Sequence, residues 1–122
     1  MQHNVVQSYQ TAGGSLTGNL AVTGDMEQNA DVVLTAGASN LALAFAFTRV
    51  NVKSLALYCT GDCTIKTNSS SSPQETITLT AGQPTVAANL TAAEALFAGN
   101  VTTFYLSSTA GGTFSVRMLL QQ

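Results

Sequence analysis

Histidine is the first residue type to consider for catalysis, and the sequence has one, His3. A histidine that acts as a general base needs a partner that holds it in a fixed position. We expect the N-terminal segment to be flexible, so His3 cannot be held in that way. The sequence therefore predicts no Ser-His-Asp or Cys-His site, and we expect the protein not to be an enzyme.

The two cysteines, Cys59 and Cys63, are separated by three residues. Zinc knuckles and thioredoxin-like motifs have two residues between their cysteines, and no second Cys/His pair is present to complete a zinc site. The favoured interpretation is two reduced cysteines beside a turn. The alternative is a short disulfide, which would stabilise the fold little because it closes a small loop. Metal binding is a third, weaker alternative.

Three of the six acidic residues, Asp25, Glu27 and Asp31, lie close together in the sequence. They could meet around a hard cation such as Ca²⁺, although their spacing is not that of an EF-hand loop. We favour solvated carboxylates in a turn, and the sequence leaves the cation question open. No two carboxylates are marked out as a glycosidase pair. We therefore assign no catalytic residue, no cofactor and no metal ligand.

The composition points away from ionic partners. Of 122 residues, 8% are charged, with four Lys+Arg against six Asp+Glu, whereas about 25% is usual. Thr, Ser and Asn take their place, with 17, 11 and 8 residues. Four cations are too few for a nucleic-acid interface. No apolar run approaches the roughly 20 residues of a membrane helix. We therefore expect neither nucleic acid nor membrane as a partner.

Short runs of alternating polar and apolar residues, separated by turn residues, recur along the chain. They predict an all-β protein: a single-domain antiparallel β-sandwich or jelly-roll-like barrel of about eight strands, with one short helix near 91–98. Thr91 is the expected N-cap of that helix. A change of phase near Lys53-Ser54 predicts either a β-bulge or a strand that is buried on both faces. Thr60-Gly61-Asp62 is expected to close a β-hairpin.

Residues 41–47 show the clearest alternation, with large residues in one phase and Ala42, Ala44 and Ala46 in the other. The alanines would form a sheet face that another subunit can approach closely. We expect residues 1–17 to form a flexible N-terminal arm and residues 18–122 the β-sandwich domain. Candidate contacts with other subunits or with a partner protein are the aromatic residue of the arm, these alanines and three cations: Tyr9, Ala42, Ala44, Ala46, Arg49, Lys53 and Arg117.

The stretch from Val52 to Leu79, with the TAGQPTV that follows, resembles small structural proteins of tailed bacteriophages. In those proteins a strand leads through a Gly-Asp turn to a second strand, a Ser/Pro loop and a Thr-rich strand ending in Gly-x-Pro. Ala87 departs from that pattern, which has an aromatic residue there, and the two cysteines are also atypical. The resemblance is carried by turn and strand residues: Ser54, Gly61, Asp62, Lys66, Thr67, Asn68, Leu79, Gly82 and Pro84.

The resemblance implies a noncatalytic virion component, a capsid decoration (cement) protein in the first place. Such a protein would be assembled in the host cytoplasm and would bind the major capsid protein on the outer capsid surface. Since virion parts repeat by symmetry, it would also bind itself, with a trimer favoured. The alternative from a different class is a small carbohydrate- or receptor-binding β-sandwich module of a fibre or tail.

Overall fold

The computed structural model describes the backbone of residues 2–11 and 14–121, and side chains from Gly24 to Gln121. It contains ten strands, one α-helix (α1, Leu90–Leu96) and a 3₁₀ turn (Arg49–Asn51). The strands are β1 (Gln2–Thr11), β2 (Gly14–Thr23), β3 (Met26–Leu34), β4 (Ala38–Phe47), β5 (Val52–Cys59), β6 (Cys63–Thr67), β7 (Thr76–Leu79), β8 (Thr85–Ala87), β9 (Val101–Ser108) and β10 (Gly112–Leu120).

Eight of these strands, β3 to β10, form two four-stranded antiparallel sheets, which confirms the predicted fold class. One sheet has the order β3-β10-β5-β8 and the other the order β4-β9-β6-β7. From β4 to β10, each strand lies in the opposite sheet from the strand before it, except β7, which follows β6 in the same sheet. This strand order is the double-sheet jelly roll. β1 and β2 pair with each other as a separate antiparallel hairpin. Whether residues 1–17 act as an arm stays a prediction.

The expected hairpin at Thr60-Gly61-Asp62 is wrong. β5 pairs with β10 and β8, while β6 pairs with β7 and β9, so this turn carries the chain from one sheet to the other. Cys59 and Cys63 are both buried, one on the inner face of each sheet. The physical reason for the crossing is long-range pairing: β5 pairs with β10, and β6 pairs with β9, both distant in sequence from the turn.

The structure also corrects the region before the helix. Residues 85–87, just before the predicted helix, form β8, which pairs with β5. The N-cap of α1 is Asn89, not Thr91, because the Asn89 Oδ1 accepts a hydrogen bond from the Ala92 amide at 2.8 Å. The helix itself lies close to the predicted position.

The predicted bulge in β5 is confirmed. Leu119 lies opposite Ser54, and Leu120 lies opposite Val52, so Lys53 is the extra residue. The inserted residue reverses the phase of the strand, and Ser54 and Leu55 are consequently both buried. Because of this extra residue, Val52 and the alternating residues Leu55, Leu57 and Cys59 all face the same core.

Candidate interaction surface

The outer face of the β4-β9-β6-β7 sheet is the surface to which the alanine pattern points. The ladders place Ala42 opposite Tyr105, Tyr105 opposite Lys66, and Lys66 opposite Thr76, so these four side chains share one row across the sheet. The next row contains Ala44 and Thr103. Residues directly opposite each other in a ladder point to the same face. We call this the alanine face.

Side-chain exposure follows the predicted alternation in the second half of β4, whereas Leu41, in the same phase as the phenylalanines, is 42% exposed. Ala42, Ala44 and Ala46 are exposed, whereas Phe45 and Phe47 are 2% and 7% exposed and lie in the core. The two phenylalanines pack edge to face, with ring centroids 6.1 Å apart. The core therefore fixes which side of β4 is inward, and the alanines must face out. Their contact with another subunit stays a prediction.

The alanine face is nearly free of charge. In these four fully described strands, Lys66 is the only ionisable side chain besides Tyr105 in an outward position, and the rest are Ala, Thr, Ser and Asn. The Lys66 Nζ donates a hydrogen bond to the Ser70 carbonyl at 3.2 Å, so the adjacent loop partly satisfies it. The face can accept a flat, weakly polar surface without desolvating many charges.

Tyr105 lies near the middle of this face and is half-buried. From the sequence, Tyr105 is a possible contact residue, as Tyr9 and Tyr58 are. Phe104 and Leu106 are inward-facing, so their neighbour Tyr105 must point outward. Tyrosine is a frequent anchor at protein interfaces because it combines a large apolar ring with a hydroxyl. The contact itself stays a prediction.

An open groove of about 520 Å³ lies at one end of the alanine face, where the loops before β4, β6 and β10 meet. Its lining is rich in hydroxyls, including Ser39, Thr64 and Ser107, and it contains the Asp62 carboxylate. Asp62 Oδ1 accepts a hydrogen bond from the Ala81 amide at 2.7 Å. The groove offers hydrogen bonds to a polar ligand, and none of the lining residues that the structure describes is a histidine or an aromatic residue.

Arg49 is used within the fold. Its Nη1 donates to the carbonyl oxygens of Phe97 and Ala98, at 3.2 and 2.8 Å, and its amide donates to Asn100 Oδ1 at 3.0 Å. These bonds tie the end of β4 to the segment that joins α1 to β9. A contact of Arg49 with a partner would have to coexist with them, and it stays a prediction.

Arg117 and Asp31 form an ion pair on the outer face of the other sheet. The Nη2 of Arg117 donates to both carboxylate oxygens, at 3.0 and 3.1 Å, and Nη1 donates to the Ala30 carbonyl at 3.3 Å. The two side chains are 46% and 55% exposed. An exposed pair contributes little to stability, but it fixes both groups in place and makes Arg117 less free to meet a partner.

We expect the pKa of the Asp31 carboxyl to lie below its ordinary value, because the Ser115 hydroxyl and then the Arg117 guanidinium donate hydrogen bonds to the charged form. Because the pKa is lower in the folded state, the charged carboxylate stabilises the fold at pH values above the unfolded-state pKa. This stabilisation is lost as the pH falls through the folded-state pKa. NMR titration of the Asp31 carboxyl carbon measures the folded-state pKa. Ser115→Ala should raise the pKa and Ser115→Thr should not, and equal values in both variants would contradict the assignment.

The three acidic residues considered for a cation are separated in the structure. Glu27 and Asp31 both lie on the outer face of β3, four residues apart, which is about 13 Å along a strand. Glu27 accepts a hydrogen bond from Asn29, and Asp25 accepts one from Gln121 at 3.2 Å. Among residues 24–121, no three His, Cys, Asp or Glu side chains are grouped as metal ligands.

Cys59 and Cys63 are free thiols in the structure, both buried, with no bond between them. Burial, and next the neighbouring Cys59, raise the pKa of the Cys63 thiol to about 12. A thiol of this kind is protonated at neutral pH, and the thiolate is the reactive form. Both cysteines therefore have the environment of buried structural residues of the core.

We expect the native protein to react slowly with an aromatic disulfide reagent at pH 8 and the unfolded protein to react quickly, releasing two equivalents of chromophore per chain. The physical reason is that unfolding exposes both buried thiols to solvent and returns the pKa of Cys63 to its ordinary value. Absorbance after mixing, with and without denaturant, measures the two cases. Release of no chromophore from the unfolded, unreduced protein would show that the disulfide is present instead.

The remaining candidates are placed as follows. Lys53 is exposed at the bulge of β5. Tyr9 falls in β1, and its side chain lies outside the described residues. Within the described part of the chain, no helix has the length and hydropathy that a membrane span requires. Comparison with protein-family models, with curated proteins and with solved structures finds no match to this chain.

Proposed function

We propose that this protein is a noncatalytic structural component of a tailed-phage virion, a decoration protein that binds the outer capsid surface as an oligomer. The observation that carries the proposal is the alanine face, which is broad, nearly uncharged and lined by small side chains. A surface with these properties suits close contact with another protein, because its small, uncharged side chains interact only weakly with water. Its position on a rigid sheet keeps it preformed.

The fold supports the proposal without deciding it. Double-sheet jelly rolls occur in viral capsid proteins and also in lectins, and a fold alone does not fix function. The chemistry of the described residues favours the structural role, since the two cysteines are buried and Asp31 is engaged by Arg117. These groups stabilise or orient the fold, as expected for a protein that acts through its surfaces.

Quantitative mass spectrometry of purified virions tests the proposal. We expect the chain at a copy number close to that of the major capsid protein. A few copies per particle would place it in the tail or a fibre, and absence from the particle would overturn the virion assignment. Adding the purified protein to capsids that lack it, followed by sedimentation, tests capsid binding directly.

The second candidate function is a carbohydrate- or receptor-binding module, and the hydroxyl-lined groove beside Asp62 is the observation that favours it. Its hydroxyls could bond to sugar hydroxyls, but no aromatic ring lines it to stack on a sugar face. Binding to a glycan array that is lost in Asp62→Ala, together with no affinity for capsids, would replace the first proposal with this one.

A further inference from the structure

The two sheets have four edge strands, and three of them have features that keep edges from pairing with other chains. β7 and β8 are four and three residues long. β3 carries two carboxylates, Glu27 and Asp31, in its outward positions. Short length and charged side chains are the usual protections of natural sheet edges.

The fourth edge, β4, has neither short length nor charge, and only bulges near its two ends interrupt it. It is ten residues long, and its sequence, ASNLALAFAF, contains neither a charged residue nor a proline. Among the described strands it pairs only with β9, so its other side presents unpaired backbone N–H and C=O groups. An exposed edge of this kind is a template for another strand.

Two irregularities in the β4–β9 ladder define the part of this edge that can accept a strand. The register shifts between Ala38 and Leu41 and again between Ala44 and Phe47. The first shift includes Asn40, which has a φ of +50° and an amide that donates to Ser107 Oγ at 2.9 Å. Bulges bend the strand at both ends. The four residues between them, 41–44, stay in regular register.

We propose that this regular segment of β4 pairs antiparallel with the same segment of a second copy of this chain, around a two-fold axis at Leu43. The pairing would place Ala42 of one copy beside Ala44 of the other, with the alanine faces of both copies on the same side. No like charges meet, because the segment has none. Two β3 edges would instead bring carboxylates together, which is unfavourable.

The inference goes beyond the proposed function, because it applies to the isolated protein in solution. A contact made mainly by one edge falls at the small end of interface sizes, below about 1,200 Å². We therefore expect a dimer that dissociates on dilution. The two-fold contact closes on itself, so the trimer expected from the resemblance would need a different surface.

Sedimentation velocity over a wide concentration range tests the proposal with three double variants. A42K/A44K places like charges beside each other across the axis and should raise the dimer dissociation constant at least about tenfold. A42K/A44E places each lysine beside a glutamate of the other copy and should keep the dimer. T76K/T78K adds the same charge at the opposite edge, on exposed positions of β7, and should have no effect.

Three results would overturn the proposal: a wild-type protein that is monomeric at all concentrations, a dimer that is insensitive to A42K/A44K, or a dimer that A42K/A44E fails to keep. Circular dichroism of each variant confirms that the fold is intact. Absence of the chain from virions would overturn the proposed function and leave this dimer standing, so the two failures can be distinguished.

Discussion

Replacing Phe104 with alanine is expected to lower the free energy of unfolding by about 3–5 kcal/mol. This is a large part of the total stability of a small domain. Phe104 is fully buried. Its ring stacks on Phe45 at 5.3 Å and on Phe97 at 6.1 Å, and it meets Phe47 and Phe114 edge to face, each at 6.3 Å.

The magnitude follows from this central position. The ring joins phenylalanines of both sheets and of the segment after α1, so its loss leaves a cavity that no single neighbour can fill. Urea denaturation followed by circular dichroism measures the change. Tyr105→Ala is the matched control, because it removes the adjacent aromatic residue from the opposite face of β9 and should cost less than about 1 kcal/mol. Equal costs for the two variants would contradict this account of the core.

Much of this core could be predicted from the sequence, because alternation within one strand determines which residues point inward. In residues 41–47 the phenylalanines face the core and the alanines face out, as the period of two requires. The change of phase at Lys53 limited the choice to a bulge or a strand buried on both faces, and the ladder shows the bulge. These features depend only on residues that are neighbours in the chain.

Strand order could not be predicted in the same way. The turn at residues 60–62 has the residues of a hairpin, yet it joins the two sheets. The local turn chemistry is the same in both cases, and the choice depends on pairing with β9 and β10, which are distant in sequence. The Arg117–Asp31 ion pair joins residues 86 positions apart for the same reason.

The unprotected edge of β4 is a consequence of that strand order. In a central strand, an uncharged run such as residues 38–47 is ordinary, and only its place at the margin of the sheet leaves it unpaired. The sequence thus predicted that the alanines share an outward face, which the structure shows, but it could not indicate that the backbone beside them lacks a partner strand. β8 was missed because three residues are too few to show a period.

A second large effect is expected at the end of the sandwich, where Gly61→Ala should lower the free energy of unfolding by about 1–3 kcal/mol or more. A Cβ on Gly61 would overlap the carbonyl oxygen of Gly111, which is backbone and cannot rotate away. Gly111 itself is buried and has a φ of +79°, a conformation that favours glycine. The clash therefore cannot be relieved by a small local shift.

The cost arises because two connections between the sheets lie back to back at this point. The turn from β5 to β6 and the turn from β9 to β10 are joined by hydrogen bonds between Thr60 and Thr113: the Thr60 amide donates to the Thr113 carbonyl at 3.2 Å, and the Thr113 amide donates to Thr60 Oγ1 at 2.9 Å. Separating the turns to admit a methyl group would lengthen both bonds and loosen the end of both sheets.

Gly99→Ala is the matched control for this substitution. A Cβ there would meet only the side-chain amide of Gln74, which can move, and Gly99 does not have a positive φ. We expect it to change the free energy of unfolding by less than about 1 kcal/mol. Thermal and urea unfolding of the two variants measure the difference. Equal changes in the free energy of unfolding for Gly61→Ala and Gly99→Ala would mean that the two turns are not in close contact. The described crossing of the strands at this end of the sandwich would then be wrong.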